Sequence, residues 1–334
     1  MDEKMEEIIK QYPIRVENKR RIRGAILLET REGLYTLANY KESMKKLAFQ
    51  EKVKEHLIKQ GYEKVDKVIC NQNGEYITKD KAENGWIVKR WFQGRECNLR
   101  ERSDIDAATL HLAKLHNMLC HIEVEAEENT VGEKECEDLK ETLERHMREM
   151  RRVYNYIRSK HRKNDMEICI LNSFAEYYQQ ADMARSCLET TEYEKVHQKS
   201  VQEGKAAHGT YNYHNILFQE KGIATMNFDK VELGIQIVDM YGFLRKIQEK
   251  NNWNVRRGIE ILERYQKNHP LEEQEAKILY VMLQFPEKYW KQINFYHNGK
   301  KAWMSVKNYE KLLRINEQEE ARRKFLNEVK SLLF

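Results

Sequence analysis

Three prolines (Pro13, Pro270, Pro286) and 14 glycines are all that punctuate these 334 residues. So little turn-forming material excludes a loop-rich or repeat-linker architecture and leaves long helices as the expected bulk of the chain. No stretch approaches the roughly 18 consecutive apolar residues of a membrane span. The segment from Met1 to Lys10 is acidic and amphipathic, without the apolar centre of a signal sequence. Six cysteines (Cys70, Cys97, Cys120, Cys136, Cys169, Cys187) are scattered without a Cys-x-x-Cys pair. That spacing argues against a zinc ribbon or disulfide framework and for a reducing, cytoplasmic compartment. A formal net charge of +5 is small for this length. It gives weak support for nucleic acid or an anionic membrane as the main partner.

What the chain has in abundance is charge, 34% of all residues against roughly 25% in an average domain. Its length allows one large bilobal domain or two ordinary ones. Residues 14 to 41 read as strands: Ile22 to Thr30, the turn signal Thr30-Arg31-Glu32-Gly33, then Leu34 to Ala38. A helix is expected from about Ser43 to Gln60, ended by Gly61. Further strand-like runs follow at Val65 to Cys70, Gly74 to Thr78 and Trp86 to Trp91, and Gly94 is the natural boundary. Beyond it the pattern is almost wholly helical. Ser103 and Asp106 form a capping signal. A charged helix runs from about Glu133 to Lys160 with Leu139, Leu143, Met147, Met150, Tyr154 and Ile157 as its buried stripe, and another covers Ile168 to Leu188. Short strands are expected to flank the 208–217 loop, ending with Gly222 to Met226.

The segment His208-Gly209-Thr210-Tyr211-Asn212-Tyr213-His214-Asn215 has the spacing of a phosphotransferase catalytic loop. In such a loop an Asp handles the acceptor hydroxyl and an Asn five residues on holds Mg²⁺. Here the Asn is Asn215 and the Asp position is Thr210, whose neutral hydroxyl cannot take a proton as a carboxylate does. Met226-Asn227-Phe228-Asp229 stands where the second metal-binding element would lie, 17 residues after Thr210 counted to Asn227. Gly234 with Asp239-Met240, and Leu112-Ala113-Lys114-Leu115-His116, complete the series.

With these motifs the chain resembles the aminoglycoside phosphotransferase and choline kinase-like branch of the protein-kinase-like fold. Within that branch it resembles the CotS-type spore coat family along nearly its whole length. The more specific marks are Trp91-Phe92-Gln93-Gly94-Arg95-Glu96, Asn227-Phe228-Asp229-Lys230 with Gly234-Ile235-Gln236, Phe285-Pro286-Glu287-Lys288-Tyr289-Trp290, and Lys301-Ala302-Trp303. The resemblance implies an α+β, bilobal fold. An N-terminal lobe of residues 1–93 would carry a small antiparallel sheet with one helix, and a mainly helical C-terminal lobe of residues 94–334 would carry the catalytic and metal loops. It also implies ATP and Mg²⁺ as cofactors of an active member, other spore coat proteins as partners, and the spore coat as location.

Against that pattern the chain has lost charge at three places. Ala38 occupies the position of the phosphate-binding lysine. Lys41, three residues on, points to the opposite strand face unless the strand ends or bulges there. Glu51 on the apolar side of the 43–60 helix is the candidate for the glutamate that would pair with that lysine, with Glu55 as the runner-up. The Gly-rich phosphate loop is missing, since residues 20–40 contain only Gly24 and Gly33. At the metal site Asn215 and Asn227 offer neutral amides, and Asp229 is the nearest anion that could take over. His208 reads as a brace for the loop or simply a buried, satisfied histidine. Asn215 reads as a metal ligand or a loop-capping amide, Asp239 as a structural anchor, and His214 as a loop histidine. The arginines between Arg145 and Lys163 read as a solvated helix face, and the Trp and Tyr residues of 289–309 as core rather than interface. Phosphoryl transfer depends on positioning and electrostatics, so the joint loss at Ala38, Thr210 and Asn227 favours an impaired, structural or scaffold protein of sporulation. The alternative is an ATP-dependent phosphotransferase on a small hydroxyl or amine substrate with Asp229 as metal ligand.

Overall fold

The computed structural model describes residues 2–123, 138–299 and 306–334. Cys136, the expected helix start at Glu133 and the segment Lys301-Ala302-Trp303 lie outside the described residues. The chain folds into two compact units, one of residues 1–133 with 203–239, the other of residues 134–202 with 240–334.

The first unit is built on a six-stranded antiparallel sheet of β1 (Val16–Ile22), β2 (Ala25–Thr30), β3 (Gly33–Tyr40), β6 (Gly85–Trp91) and β4 (Val68–Ile69), in that order, with β5 (Thr78–Lys79) also paired to β6. The run Ile22 to Thr30 is not one strand as expected. Arg23 and Gly24 break it with φ of 29° and 83°, the backbone of a two-residue hairpin turn. The runs at 65–70 and 74–78 shrink to the two-residue β4 and β5, because the ladder with β6 takes in Val68–Ile69 and Thr78–Lys79.

Alternation gives this sheet two different faces. Leu28, Leu37 and Val88 turn to one side, where Ile8, Ile9 and Tyr12 at the end of α1 (Asp2–Ile9) cover them. Each aliphatic side chain buried there contributes about 1.5–3 kcal/mol. On the other side Tyr40, Val68 and Ile87 pack with Leu47 of α2 (Met44–Lys59). Ser43 caps α2 by accepting from the Lys46 amide, and Gly61 leaves it with φ of 85°.

After β6 the chain passes Gly94, where an added Cβ would lie 2.9 Å from the Phe218 carbonyl oxygen. The short strand β7 (Arg95–Glu96) then pairs with β9 (Ile216–Phe218), which pairs with β10 (Ile223–Thr225). Helix α3 (Arg102–Met118) starts at Glu101 without a side-chain cap, so the Ser103–Asp106 signal does not act. Its entry is held instead by buried Asp104, which accepts from the Asn98 amide and from both Nη groups of Arg95. The two-residue strands β8 (Ala206–Ala207) and β11 (Glu232–Leu233) pair and close the segment that carries the loops.

The second unit is helical, with α4 (Leu139–Ser159), α5 (Asp165–Glu189), α6 (Tyr193–Gln202), most of α7 (Ile237–Lys250), α8 (Val255–Asn268), α9 (Glu273–Gln284), α10 (Glu287–Asn298), α11 (Val306–Glu317) and α12 (Glu319–Leu333). The expected stripe of α4 is buried at Leu143, Met147, Met150 and Ile157, with Leu139 and Tyr154 partly covered. It meets Ile170, Phe174 and Tyr177 of α5, a helix that Asn164 and Glu167 start with a capping box. Tyr177 stacks on Tyr289 at 3.9 Å between centroids, and Tyr296 is buried with it, so these described aromatics of 289–309 are core. Arg148, Arg151, Arg152 and Arg158 lie on the exposed side of α4. No described helix is long and apolar enough to cross a membrane.

Candidate functional site

The cavity-facing side of the sheet, the 94–96 segment and the loops after β8 and β10 enclose a cavity of 610 Å³. Thr36, Ala38, Lys89 and Trp91 line it from the sheet, and Asn212, His214, Asn215, Asn227 and Asp229 from the loops. Ala38 is therefore a lining residue with a methyl group where the resemblance implies a lysine. Lys41 follows the end of β3, is exposed and does not line the cavity.

The loop at 208–215 is fixed by a buried carboxylate. Asp239 accepts from the amides of His208 (2.6 Å) and Gly209 (2.9 Å) and pairs with His116. Burial would raise the Asp239 carboxyl, but the hydrogen bond and charge of His116, with the His208 amide, hold it below the usual range. His208 is fully buried, and this burial lowers its pKa. Its Nε2 lies 3.0 Å from the Met226 carbonyl oxygen, which can only accept, so Nε2 carries the proton and Nδ1 accepts from the Thr210 amide at 3.2 Å. His208 thereby ties the loop to the strand end before Asn227. Gly209 is required by contact: at φ of 76° its Cβ would meet the Lys230 carbonyl oxygen at 2.1 Å.

The polar groups of the two loops bind one another. The Thr210 hydroxyl donates to the Asn227 carbonyl oxygen at 2.9 Å. Asn215 Nδ2 donates to the Thr210 carbonyl oxygen at 2.9 Å, and Asn215 Oδ1 accepts from Asn227 Nδ2 at 2.7 Å. Asn227 sits in the left-handed region with φ of 61°, and its amide donates to Asp66 Oδ2 at 2.9 Å.

Lys89, Asp66 and Lys54 bring charge to this site without any motif that marks them in the sequence. Lys89 on β6 stands opposite Thr36, two pairs along from Ala38–Ile87, and so emerges on the same, cavity-facing side. Its ammonium is buried, 3.5 Å from Asp66 Oδ2 and hydrogen-bonded to Asp229 Oδ1. Burial would lower the Lys89 pKa, but Asp66 and Asp229 raise it above the ordinary value. Likewise burial would raise the Asp66 carboxyl, yet Lys54 and Lys89 beside it hold it below. Glu51 is buried on α2 and pairs with Lys54 of its own helix at 2.6 Å, while its other oxygen accepts from the Val68 amide. Burial is the main reason its pKa is raised, with Lys54 opposing it. The runner-up Glu55 pairs with Lys67 at 2.9 Å. At the cavity mouth Glu96 takes both Arg23 and His214 Nδ1, the latter at 2.7 Å.

These residues do not fit a divalent cation. Asn215 Oδ1 already accepts from Asn227, and Asp229 is bound to an ammonium group. Among the described residues no group of three His, Cys, Asp or Glu side chains is placed to hold a metal ion.

Solved structures share the architecture. An aminoglycoside phosphotransferase from Alicyclobacillus acidocaldarius is similar with a TM-score of 0.85 at 14% identity, over 98% of this chain and 96% of that one. Spectinomycin phosphotransferase APH(9)-Ia in its AMP-bound complex gives 0.68 at 12%, over 96% and 97%. Amicoumacin kinase hAmiN in complex with AMP-PNP, Ca²⁺ and Ami gives 0.61 at 13%, over 96% and 92%. At these identities the likeness establishes the aminoglycoside phosphotransferase-like kinase fold. A search of curated proteins finds no match. The family described as "Spore coat putative kinase YutH" matches residues 5–329. With nearly its whole length matched and the CotS-type motifs in order, the chain belongs to this family of spore coat kinase-like proteins.

Proposed function

We propose that this protein is a catalytically inactive member of its kinase-like family, serving as a structural or scaffold component of the spore coat with other coat proteins as partners. The observation that carries the reading is the mutual satisfaction of the cleft's polar groups. Asn227 caps Asn215, Lys89 neutralises Asp229, and a methyl group stands at Ala38. An electrostatic catalyst needs such groups aimed at the substrate. Here they are aimed at each other. The same bonds link the sheet to the metal loop without a ligand, since Gln50 of α2 also donates to the Asp229 carbonyl oxygen at 2.9 Å. A cleft held together in this way suits a part whose surface, rather than its turnover, is used. The division at residue 93 belongs to this reading as a proposed lobe boundary.

A thermal-shift titration with ATP, with and without Mg²⁺, tests it, because any ligand of the native state raises apparent stability by mass action. The expected result is no Mg²⁺-dependent shift and no transfer of labelled phosphate to hydroxyl or amine acceptors. Transfer that disappears in Asp229→Ala would establish the second reading, an active small-molecule phosphotransferase. That reading has one feature in its favour, the presence of Asp229 in the cavity wall.

A further inference from the structure

We propose that the Lys89 ammonium is the resident cation of this cleft, standing in the place of a divalent metal ion and neutralising the metal loop from within the chain. The proposal rests on the inactive reading above and names how the site is kept metal-free.

Position comes first. In the β3–β6 register Ala38 faces Ile87 and Thr36 faces Lys89, so Lys89 leaves the sheet on the face that lost its lysine, diagonally beside Ala38. Its length carries the ammonium past the sheet to the metal loop. There it lies between Asp66, which is wholly buried, and Asp229, which is half-exposed. The second buried lysine, Lys54, is taken up by Glu51 at 2.6 Å and by the Asp66 carbonyl oxygen at 3.0 Å. Three carboxylates thus face two ammonium groups in one continuous chain of contacts.

The electrostatics follow from that count. A buried carboxylate needs a compensating charge at close range. Asp66 obtains it from Lys54 and Lys89 and Asp229 from Lys89 alone of the two, and Asp66 also fixes the metal loop through the Asn227 amide. A divalent ion entering at Asp229 would meet an ammonium group already hydrogen-bonded there, and like charges at that separation repel strongly in a low-dielectric site. Lysine and metal are therefore mutually exclusive occupants. Removing the lysine leaves the Asp229 carboxylate in the cavity wall and Asp66 Oδ2 behind it, oxygen donors of the kind a hard cation accepts.

The experiment uses the full chain and Mn²⁺ alone, followed by the electron paramagnetic resonance signal of the free ion, with circular dichroism melts of each variant. Wild type and Lys89→Arg are expected to show no Mn²⁺ site in the cleft. Lys89→Met is expected to bind Mn²⁺ roughly tenfold or more tightly than wild type, with its melting temperature rising towards the wild-type value as Mn²⁺ is added. Adding Asp229→Asn to Lys89→Met should abolish the gain. Mn²⁺ binding by the wild type that Asp229→Asn removes would overturn the proposal, as would a folded Lys89→Met without a gain. A Lys89→Met chain that folds neither with nor without Mn²⁺ would overturn it too, because the metal then cannot replace the ammonium. No nucleotide is present, so phosphoryl transfer by the wild type would sink the inactive reading independently of the Mn²⁺ result.

Discussion

Asn227 Nδ2 donates to Asn215 Oδ1 at 2.7 Å, so the two amides that stand at the metal positions are each other's partners. Asn227 holds this bond from a left-handed backbone with φ of 61°. Replacing it separates the two contributions. Asn227→Gly keeps the backbone and orphans Asn215 Oδ1, which should cost about 1–2 kcal/mol in urea unfolding. Asn227→Ala should cost about 1 kcal/mol more, because alanine resists that backbone region. Equal losses for both variants would mean that the backbone is not strained there.

Asp239→Asn should destabilise the protein by roughly 3 kcal/mol, since one buried carboxylate accepts from two loop amides and pairs with His116. Hydrogen exchange should quicken most at the His208 and Gly209 amides. A stability loss without faster exchange at those two sites would contradict the anchoring role.

Gly209→Ala should lose about 3 kcal/mol or more, because its methyl group would collide with the Lys230 carbonyl oxygen at 2.1 Å and shift the metal loop. Gly61→Ala is the control, with φ of 85°, close to that of Gly209, and open space around the added carbon. Only the ordinary cost of about 1 kcal/mol for an unfavourable backbone is expected there. Chemical denaturation of the pair gives the comparison.

Stability should fall on mild acidification through His111. This histidine is partly buried and bonded to Tyr62 and Thr225, and its desolvation, aided by Lys114, lowers its pKa to about 4. The unfolded histidine titrates near 6.5, so between about pH 6.5 and 4 the unfolded state binds the extra proton and stability declines as pH falls. The full effect is on the order of 3 kcal/mol. It should be present above pH 6.5 and lost by pH 4, and His111→Gln should flatten the melting temperature across that window. An unchanged pH slope in the variant would assign the effect elsewhere.

The parts of this fold that the sequence disclosed are those set by neighbours along the chain. Ser43 and Gly61 bound α2, the turn at 30–33 closes β2 onto β3, and the stripe from Leu143 to Ile157 turns inward. The cap expected at Ser103 failed because the helix entry is held by Arg95 and Asn98, contacts that depend on the turn before it. Lys89 was hidden for a related reason. Its parity with Ile87 and Trp91 in the run 86–91 is visible, but its importance depends on facing Thr36 across a ladder and on acids at 66 and 229. Those pairings are set by register and loop closure, which local pattern does not encode. Lys54 likewise reads as one more surface lysine of a charged helix, and in the fold it is fully buried.

The two-faced sheet also limits how this lineage can change. Leu37 is sealed against the α1 end while its neighbour Ala38 opens on the cavity. Losing or gaining a single codon within β3 would exchange the two, placing leucine in the cleft and a polar or small residue in the dry layer. Drift in this strand must therefore proceed by replacement at fixed length. Insertions and deletions can be absorbed only at its ends, in the turn at 31–32 and in the segment 41–43 before α2.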